Sequence, residues 1–139
     1  MSQNQKTTEI YSTILVVEDS PTQAIHIQSM LEQNGAQVLL AVDGLEGINL
    51  AVGMEPDLIV LDMQLPDMNG LQVCKYLKSN KETEHIPIIM FTRYDDTETV
   101  ALGLQLGVVD YIPKDAFADA VLLETLRQMN LLAPGQPRR

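Results

Sequence analysis

The sequence predicts an α/β fold, a doubly wound three-layer sandwich with a five-stranded parallel sheet and helices on both faces. Apolar segments of strand length alternate five times along the chain with segments of helical periodicity. The third apolar segment, residues 58–61, is apolar at every position, which is typical of a strand buried on both faces. A length of 139 residues fits one domain with a substantial core.

The first predicted strand and helix follow a polar N-terminal segment. Residues 1–12 are predicted to form a flexible arm, and the first strand covers residues 13–17. Ser20 is the predicted N-cap of the first helix, and Pro21 fits its first position. Gln23 is predicted to complete a capping box with Ser20.

The other elements are located by apolar runs, capping residues and turn residues. The remaining strands are predicted at residues 37–42, 58–61, 86–91 and 109–112. The remaining helices are predicted to follow the caps Asp43, Asp95 and Asp115 and the turn at 66–70. The third helix should cover residues 71–80, and the last should end near Leu132. The domain therefore spans residues 13–132, with a flexible tail at 133–139.

The acidic composition limits the classes of molecule that the protein is expected to bind. Nine Lys and Arg stand against 19 Asp and Glu, a net charge of −10. This balance argues against direct binding to nucleic acid or to an anionic membrane, because phosphate contacts need a basic face. Cys74 is the only cysteine, so the sequence allows no internal disulfide. Since neither a signal pattern nor a membrane-length apolar run is present, we expect a cytoplasmic protein.

Polar side chains that suit phosphoryl chemistry follow four of the predicted strands. They are Glu18 and Asp19 after the first strand, Asp62 after the third, Thr92 after the fourth and Lys114 after the fifth. In an open parallel sheet, ligand chemistry gathers beyond the carboxyl ends of the strands. Each residue alone has an ordinary structural explanation, but their joint placement favours a site for a hard cation and a phosphoryl group.

The residue types define the chemistry of this predicted site. A carboxylate can attack a phosphoryl group directly, so Asp62 is a candidate acceptor. Because the carboxylate and the phosphoryl oxygens repel each other, we expect Mg²⁺, with Glu18 and Asp19 as further oxygen ligands. Lys114 offers a point charge and Thr92 a hydroxyl to the transferred group. No separate base is required, because phosphoryl transfer depends mostly on positioning and charge neutralisation.

Four segments of the chain resemble the receiver domains of response regulators in two-component signalling. They are residues 14–20 (ILVVEDS), 56–70 (PDLIVLDMQLPDMNG), 87–92 (PIIMFT) and 107–114 (GVVDYIPK). The resemblance covers about residues 13–132 and implies a flavodoxin-like fold with strand order 2-1-3-4-5. It implies that Asp62 accepts a phosphoryl group from the phosphohistidine of a histidine kinase.

The resemblance also implies roles for individual residues. The implied magnesium ligands are Glu18, Asp19, Asp62 and the backbone carbonyl of Gln64. Thr92 and Tyr111 would be the pair that reports phosphorylation, and Lys114 would contact the phosphoryl group. The face formed by the fourth helix, the fifth strand and the fifth helix would then change shape.

Three positions depart from the family pattern. Arg93 stands where a small residue is usual, and we expect it to screen Asp62 partially. Asp115 stands where proline is usual, so a trans bond before it is favoured, since a cis bond is costly without proline. Glu18 stands where Asp is usual, and its longer side chain should still reach the ion. The resemblance implies that Gln64 and Tyr94, which also flank the site, tune the attacking water.

The sequence is therefore expected to encode a stand-alone phosphorylation-dependent switch rather than an enzyme. The expected partners are a sensor histidine kinase or phosphotransfer protein and a downstream protein target, with a homodimer as an alternative use of the output face. Leu123, Leu131 and Leu132 are predicted to be surplus apolar residues on the output face. A phosphorylation-independent adaptor of the same fold and a small hydrolase with Asp62 as nucleophile remain as alternatives.

Overall fold

The computed structural model describes residues 9–93 and 96–135. Five parallel strands form one sheet in the order β2-β1-β3-β4-β5, as the resemblance implied. The strands are β1 (Ser12–Val17), β2 (Ala36–Ala41), β3 (Leu58–Leu61), β4 (Ile88–Thr92) and β5 (Asp110–Pro113). The helices are α1 (Pro21–Glu32), α2 (Gly44–Met54), α3 (Gly70–Lys78), α4 (Thr97–Gln105) and α5 (Ala118–Gln128). The predicted α/β sandwich is confirmed.

Apolar side chains of the central strands pack on both faces of the sheet. In β1, Leu15 and Val17 belong to one core cluster, whereas Ile14 and Val16 belong to the other. This alternation follows from the two-residue period of a strand, and it requires apolar residues on both sides. The sequence of the central strands therefore dictates helices on both faces.

The register of the sheet brings the predicted site residues together. Val17 pairs with Leu61, so Glu18 and Asp62 leave adjacent strands at the same level. Thr92 is the last residue of β4 and pairs with Pro113, which directly precedes Lys114. Neighbouring strands lie about 4.8 Å apart, and these side chains therefore meet at one edge of the sheet.

The helix caps correct three of the predictions. The Ser20 hydroxyl accepts a hydrogen bond from the Gln23 backbone N–H (3.4 Å), but the Gln23 side chain turns into the site and completes no capping box. The cap of α4 is Asp96, which bonds Thr99, rather than the predicted Asp95, which lies outside the described residues. Asp115 does not cap α5 directly.

The segment before α5 explains why Asp115 is not its N-cap. The Asp115 carboxylate accepts a hydrogen bond from the Phe117 N–H (2.9 Å), which forms a turn one step before the helix. The residue at the N-cap position is Phe117, which makes no side-chain capping bond. None of the described peptide bonds is cis, so the predicted trans bond after Lys114 is confirmed.

The end of α5 corrects the predicted apolar surplus. The helix ends at Gln128 rather than near Leu132, because Asn130 adopts a left-handed conformation with φ of 64° and turns the chain. Leu132 is consequently buried, and Leu123 and Leu131 pack partly against the core. Among the described residues on or next to α4, β5 and α5, the exposed large apolar side chains are instead Leu102, Leu104, Val109, Phe117 and Val121.

Both ends of the described chain form hydrogen bonds with other parts of the domain. The Tyr11 N–H donates to the Gly35 carbonyl, and the Ser12 hydroxyl donates to the Leu131 carbonyl. The Ala133 N–H donates to the Asn34 carbonyl. The predicted flexible arm and tail thus have ordered contacts at residues 11, 12 and 133, while residues 1–8 and 136–139 lie outside the described part. Within that part, no helix combines the length and apolar character needed to cross a membrane.

Candidate phosphoryl-transfer site

Asp62 lines a cavity beyond the carboxyl ends of the strands. The cavity measures about 450 Å³ and is lined by Glu18, Asp19, Ser20, Gln23, Asp62, Gln64, Leu65, Pro66, Thr92 and Arg93. Asp62 itself is 9% exposed. A carboxylate so placed is accessible to a small reactive group yet largely shielded from bulk water.

Three neighbouring groups fix the orientation of the Asp62 carboxylate. One oxygen, Oδ2, accepts a hydrogen bond from the Lys114 ammonium (2.9 Å), and Oδ1 accepts one from the Gln64 backbone N–H (3.3 Å). The Thr92 hydroxyl is a further donor. Burial by itself raises the pKa of Asp62, but the bonds from Lys114 and Thr92 and the lysine charge outweigh it and leave this pKa lowered. Asp62 is therefore anionic at neutral pH, as a nucleophile must be.

Glu18 shares the Lys114 ammonium with Asp62. Its Oε1 lies 2.5 Å from Lys114 Nζ, and its Oε2 accepts a hydrogen bond from the Ser20 N–H (3.1 Å). Only 3% of the Glu18 side chain is exposed. Burial raises the pKa of Glu18 above its usual value, since the opposing bonds from Lys114 and Ser20 only partly offset the desolvation. The buried charge of Glu18 is thus only partly compensated in the protein alone.

Three carboxylates converge closely enough to hold one cation. Each of Glu18, Asp19 and Asp62 offers an oxygen, and these oxygens lie within 4.8 Å of one another. The single ammonium of Lys114 leaves this group with an excess of negative charge. Hard cations such as Mg²⁺ prefer oxygen ligands of this kind, so the donor set fits the predicted ion.

Thr92 and Tyr111, the predicted switch pair, lie on the adjacent strands β4 and β5. Thr92 is fully buried at the end of β4, and its hydroxyl bonds Asp62. Tyr111 lies on β5, and its ring packs against α4 at Gly103, where a Cβ added to the glycine would lie 3.6 Å from the ring. Thr92 therefore contacts the Asp62 carboxylate, and Tyr111 contacts α4.

Two of the three residues predicted to tune access to Asp62 line the cavity in the described part of the structure. Arg93 is exposed and lines both the central cavity and an adjoining one of about 490 Å³. Gln64 is also exposed and lines the central cavity. Tyr94 lies outside the described residues.

The loop after β3 is held by contacts that the sequence did not reveal. The Asp67 carboxylate accepts hydrogen bonds from the backbone N–H groups of Gly44 (2.8 Å) and Leu45 (2.9 Å) at the N-terminus of α2. These bonds lower the pKa of Asp67. The Gly70 N–H donates to the Met63 carbonyl (2.6 Å). The backbone beside Asp62 is thus tied to α2 and α3.

Gln23 is a site residue that sequence reasoning assigned to a helix cap. Its Oε1 lies 2.6 Å from Lys114 Nζ, across 91 residues of sequence. Its position at the third residue of α1, shortly after the two acidic residues, is the only sequence signal that places it near the cavity.

Comparison with known proteins gives one consistent result. The sequence profile of the response regulator receiver domain matches residues 14–127. Protein PilH of Pseudomonas aeruginosa is 37% identical over 109 residues, which cover 78% of this chain and 90% of PilH. The alkaline phosphatase synthesis transcriptional regulatory protein PhoP of Bacillus subtilis is 39% identical over 125 residues, 88% of this chain. That match covers 51% of PhoP, so the chain spans about half the length of this relative.

A solved structure agrees with the sequence matches. The signal receiver domain of a signal transduction histidine kinase from Syntrophus aciditrophicus superposes with a TM-score of 0.77 at 36% identity. The superposition covers 85% of this chain and 89% of that one.

Proposed function

Because the chain belongs to the response regulator receiver domain family, whose members signal through phosphorylation, we propose that Asp62 is its phosphoryl acceptor. The donor is the phosphohistidine of a sensor histidine kinase or a phosphotransfer protein. The observation that carries the proposal is the Asp62 carboxylate itself. It is largely buried, opens into a cavity and is held by Lys114 and the Gln64 N–H at 2.9 and 3.3 Å.

The transfer step follows from the positions of these groups. One Asp62 oxygen attacks the phosphorus, the bond between phosphorus and the donor's histidine nitrogen breaks, and that nitrogen leaves with the electron pair. Lys114 then exchanges its bond to Asp62 for a bond to a phosphoryl oxygen, and the Thr92 hydroxyl rotates to another. The site supplies orientation and charge, which are the main requirements of phosphoryl transfer.

The carboxylates Glu18, Asp19 and Asp62 and the Gln64 carbonyl form the proposed Mg²⁺ site. Bound there, Mg²⁺ would neutralise the charge of the carboxylates and of the incoming phosphoryl oxygens. The residues of the chain hold the ligand oxygens together before binding, with the three carboxylates already within 4.8 Å. Binding of the ion there would also relieve the repulsion among these carboxylates.

Output is proposed to pass through Thr92 and Tyr111 to the surface of α4, β5 and α5. Movement of the Thr92 hydroxyl toward the phosphoryl group removes its bond to Asp62 and frees space that Tyr111 fills. The Tyr111 ring packs at Gly103, so its movement changes the position of α4. The surface that then meets a protein target, or a second copy of the chain, carries Leu102, Leu104, Val109 and Val121, which are between 44% and 52% exposed.

One experiment separates this function from the two alternatives. The protein is incubated with acetyl phosphate and Mg²⁺, and its intact mass is followed over time. A switch gains and holds one phosphoryl group, an adaptor gains none, and a hydrolase turns over added phosphoesters without accumulating the adduct. Asp62→Asn should abolish the adduct.

A matched control is Asp57→Asn, because Asp57 precedes the same strand at its opposite end and bonds the Thr13 N–H. This variant should retain wild-type phosphorylation. An adduct that persists in Asp62→Asn would refute Asp62 as the acceptor.

The output surface has a separate test. The solution mass is measured by light scattering with and without the phosphoryl mimic beryllofluoride, for wild type and for Val121→Asp. Met54→Asp is the control, because Met54 is also exposed, at 55%, but lies on α2. If Val121→Asp changes neither the mass nor the capture of a target in either state, this surface is not the output surface.

A further inference from the structure

The Lys114 ammonium is fully occupied by three acceptors from three parts of the fold. They are Glu18 Oε1 at 2.5 Å, Gln23 Oε1 at 2.6 Å and Asp62 Oδ2 at 2.9 Å. An ammonium group has three N–H donors and no acceptor. Each donor therefore has one partner, and the position of the nitrogen is determined by all three.

The three acceptors differ in what the reaction requires of them. Asp62 forms the new bond to phosphorus, and Glu18 belongs to the carboxylate group that suits a cation. Gln23 is neutral; it neither forms a bond to phosphorus nor belongs to the carboxylate group. Of the three, it alone can keep the same bond to Lys114 before, during and after transfer.

We propose that Gln23 is a positioning residue for phosphoryl transfer, which holds the Lys114 ammonium beside Asp62 while Asp62 and Glu18 change partners. The inference rests on the proposed function of Asp62. Gln23 touches no reacting atom, and its effect passes through Lys114.

The chemistry of the amide suits this task. A carboxylate at position 23 would accept the same bond but would add charge beside Glu18, Asp19 and Asp62, where negative charge is already in excess. An aliphatic side chain would accept no bond and would leave one Lys114 donor to water. Gln23 is part-buried and lines both the central and the adjoining cavity, and Lys114 itself lines the adjoining one. Without the bond to Gln23, the lysine would be free to move into that adjoining space.

The test compares two identical substitutions on one helix. Gln23→Met removes the acceptor at the site, whereas Gln28→Met removes an equally part-buried glutamine of α1 whose side chain bonds Glu32 on the same helix. The rate of acyl-phosphate formation is measured with saturating acetyl phosphate and Mg²⁺. Since the loss of a hydrogen bond to a charged group corresponds to about tenfold or more in rate, Gln23→Met should slow formation about tenfold. Gln28→Met should keep the wild-type rate.

A second readout needs neither metal nor phosphoryl donor. The side-chain ¹H–¹⁵N signal of the Lys114 ammonium, assigned by its loss in Lys114→Met, should broaden or vanish in Gln23→Met, because an unheld ammonium exchanges its protons with water rapidly. Gln23→Glu keeps an acceptor oxygen and should retain the signal. A wild-type melting temperature for Gln23→Met excludes misfolding of that variant as the explanation for the lost signal.

A double mutant tests whether Gln23 acts through the lysine. In the Lys114→Met background, adding Gln23→Met should slow phosphorylation no further. Additive slowing, or a Gln23→Met protein with the wild-type rate and the wild-type Lys114 signal, overturns the inference and leaves Asp62 as the acceptor. A wild-type protein that forms no acyl phosphate overturns the proposed function and the inference together.

Discussion

Substitution of Gly70 is predicted to destabilise the fold because backbone atoms occupy the space that a Cβ would need. A Cβ at this position would lie 2.6 Å from the Asp62 carbonyl oxygen and 2.9 Å from the Met63 Cα. A third contact, to the flexible end of Met90 at 2.9 Å, can be relieved by rotation. The two backbone contacts can be relieved only by moving the chain beside the phosphoryl acceptor.

The magnitude of the effect follows from these clashes. Overpacking of a well-packed site costs about 1–3 kcal/mol of stability. Replacing Gly by Ala in a helix stabilises the helix by at most about 1 kcal/mol and offsets part of that cost. Gly70→Ala should therefore lower the free energy of unfolding by about 1–2 kcal/mol. For a domain of this size, that corresponds to a fall in melting temperature of roughly 3–8 °C.

A second glycine provides the control. Gly53 lies in α2, and a Cβ there would meet nothing within 4 Å. Gly53→Ala should thus raise stability by up to about 1 kcal/mol through helix propensity alone.

The assay combines thermal unfolding with the rate of acyl-phosphate formation. Gly70→Ala should lower both the melting temperature and the rate, whereas Gly53→Ala should lower neither. An unchanged melting temperature in Gly70→Ala would refute the argument from packing. A lowered melting temperature with an unchanged rate would show that the chain beside Asp62 does not shift.

Three further predictions follow from the charges and the access to the site. Mg²⁺ at a hundred times its dissociation constant should raise the free energy of unfolding of the wild type by about 2.7 kcal/mol. In a calorimetric melt, Asp19→Asn should lose most of this gain. An unchanged response to Mg²⁺ in that variant would show that Asp19 does not belong to the site. The pKa of Glu18 is higher in the folded protein than in the unfolded chain, where it is near 4.5. Its contribution to the free energy of unfolding is therefore fully present below the unfolded pKa and is lost as pH rises through the folded pKa. Without Mg²⁺, Glu18→Gln should therefore gain stability over wild type in urea unfolding as pH rises from acid to neutral, and a constant difference would contradict this. Arg93→Ala should shorten the lifetime of the phosphorylated protein if Arg93 screens Asp62, so equal or slower loss of the phosphoryl group in that variant would refute screening.

The sequence predicted the fold and the centre of the site because both follow from local patterns. Residues 58–61 are apolar throughout and form β3 with the predicted bounds. Parallel pairing of β1 with β3 then places Glu18 and Asp62 together. The position of each residue directly after its strand was therefore enough to predict that the two side chains meet. Lys114 and Thr92 follow by the same argument from β5 and β4.

The parts that sequence reasoning missed depend on contacts between distant segments. Nothing local shows that the Gln23 side chain would bond Lys114, 91 residues away, in place of its own helix cap. Likewise, the Asp67 contacts to α2 join two segments that are more than twenty residues apart. Leu132 was expected to be exposed, but the turn at Asn130 and the bond from Ser12 to Leu131 direct it into the core. In each case the side chain had alternatives of similar local energy, and tertiary packing decided between them.

The most direct test of the central claim locates the phosphoryl group on the chain. Wild-type protein is phosphorylated with acetyl phosphate and Mg²⁺, the acyl phosphate is trapped by borohydride reduction, and the reduced residue is identified by peptide mass mapping. We predict a single reduced residue at Asp62 and none when Mg²⁺ is chelated. Reduction at Asp19 or Asp67 instead, or at no residue, would contradict it.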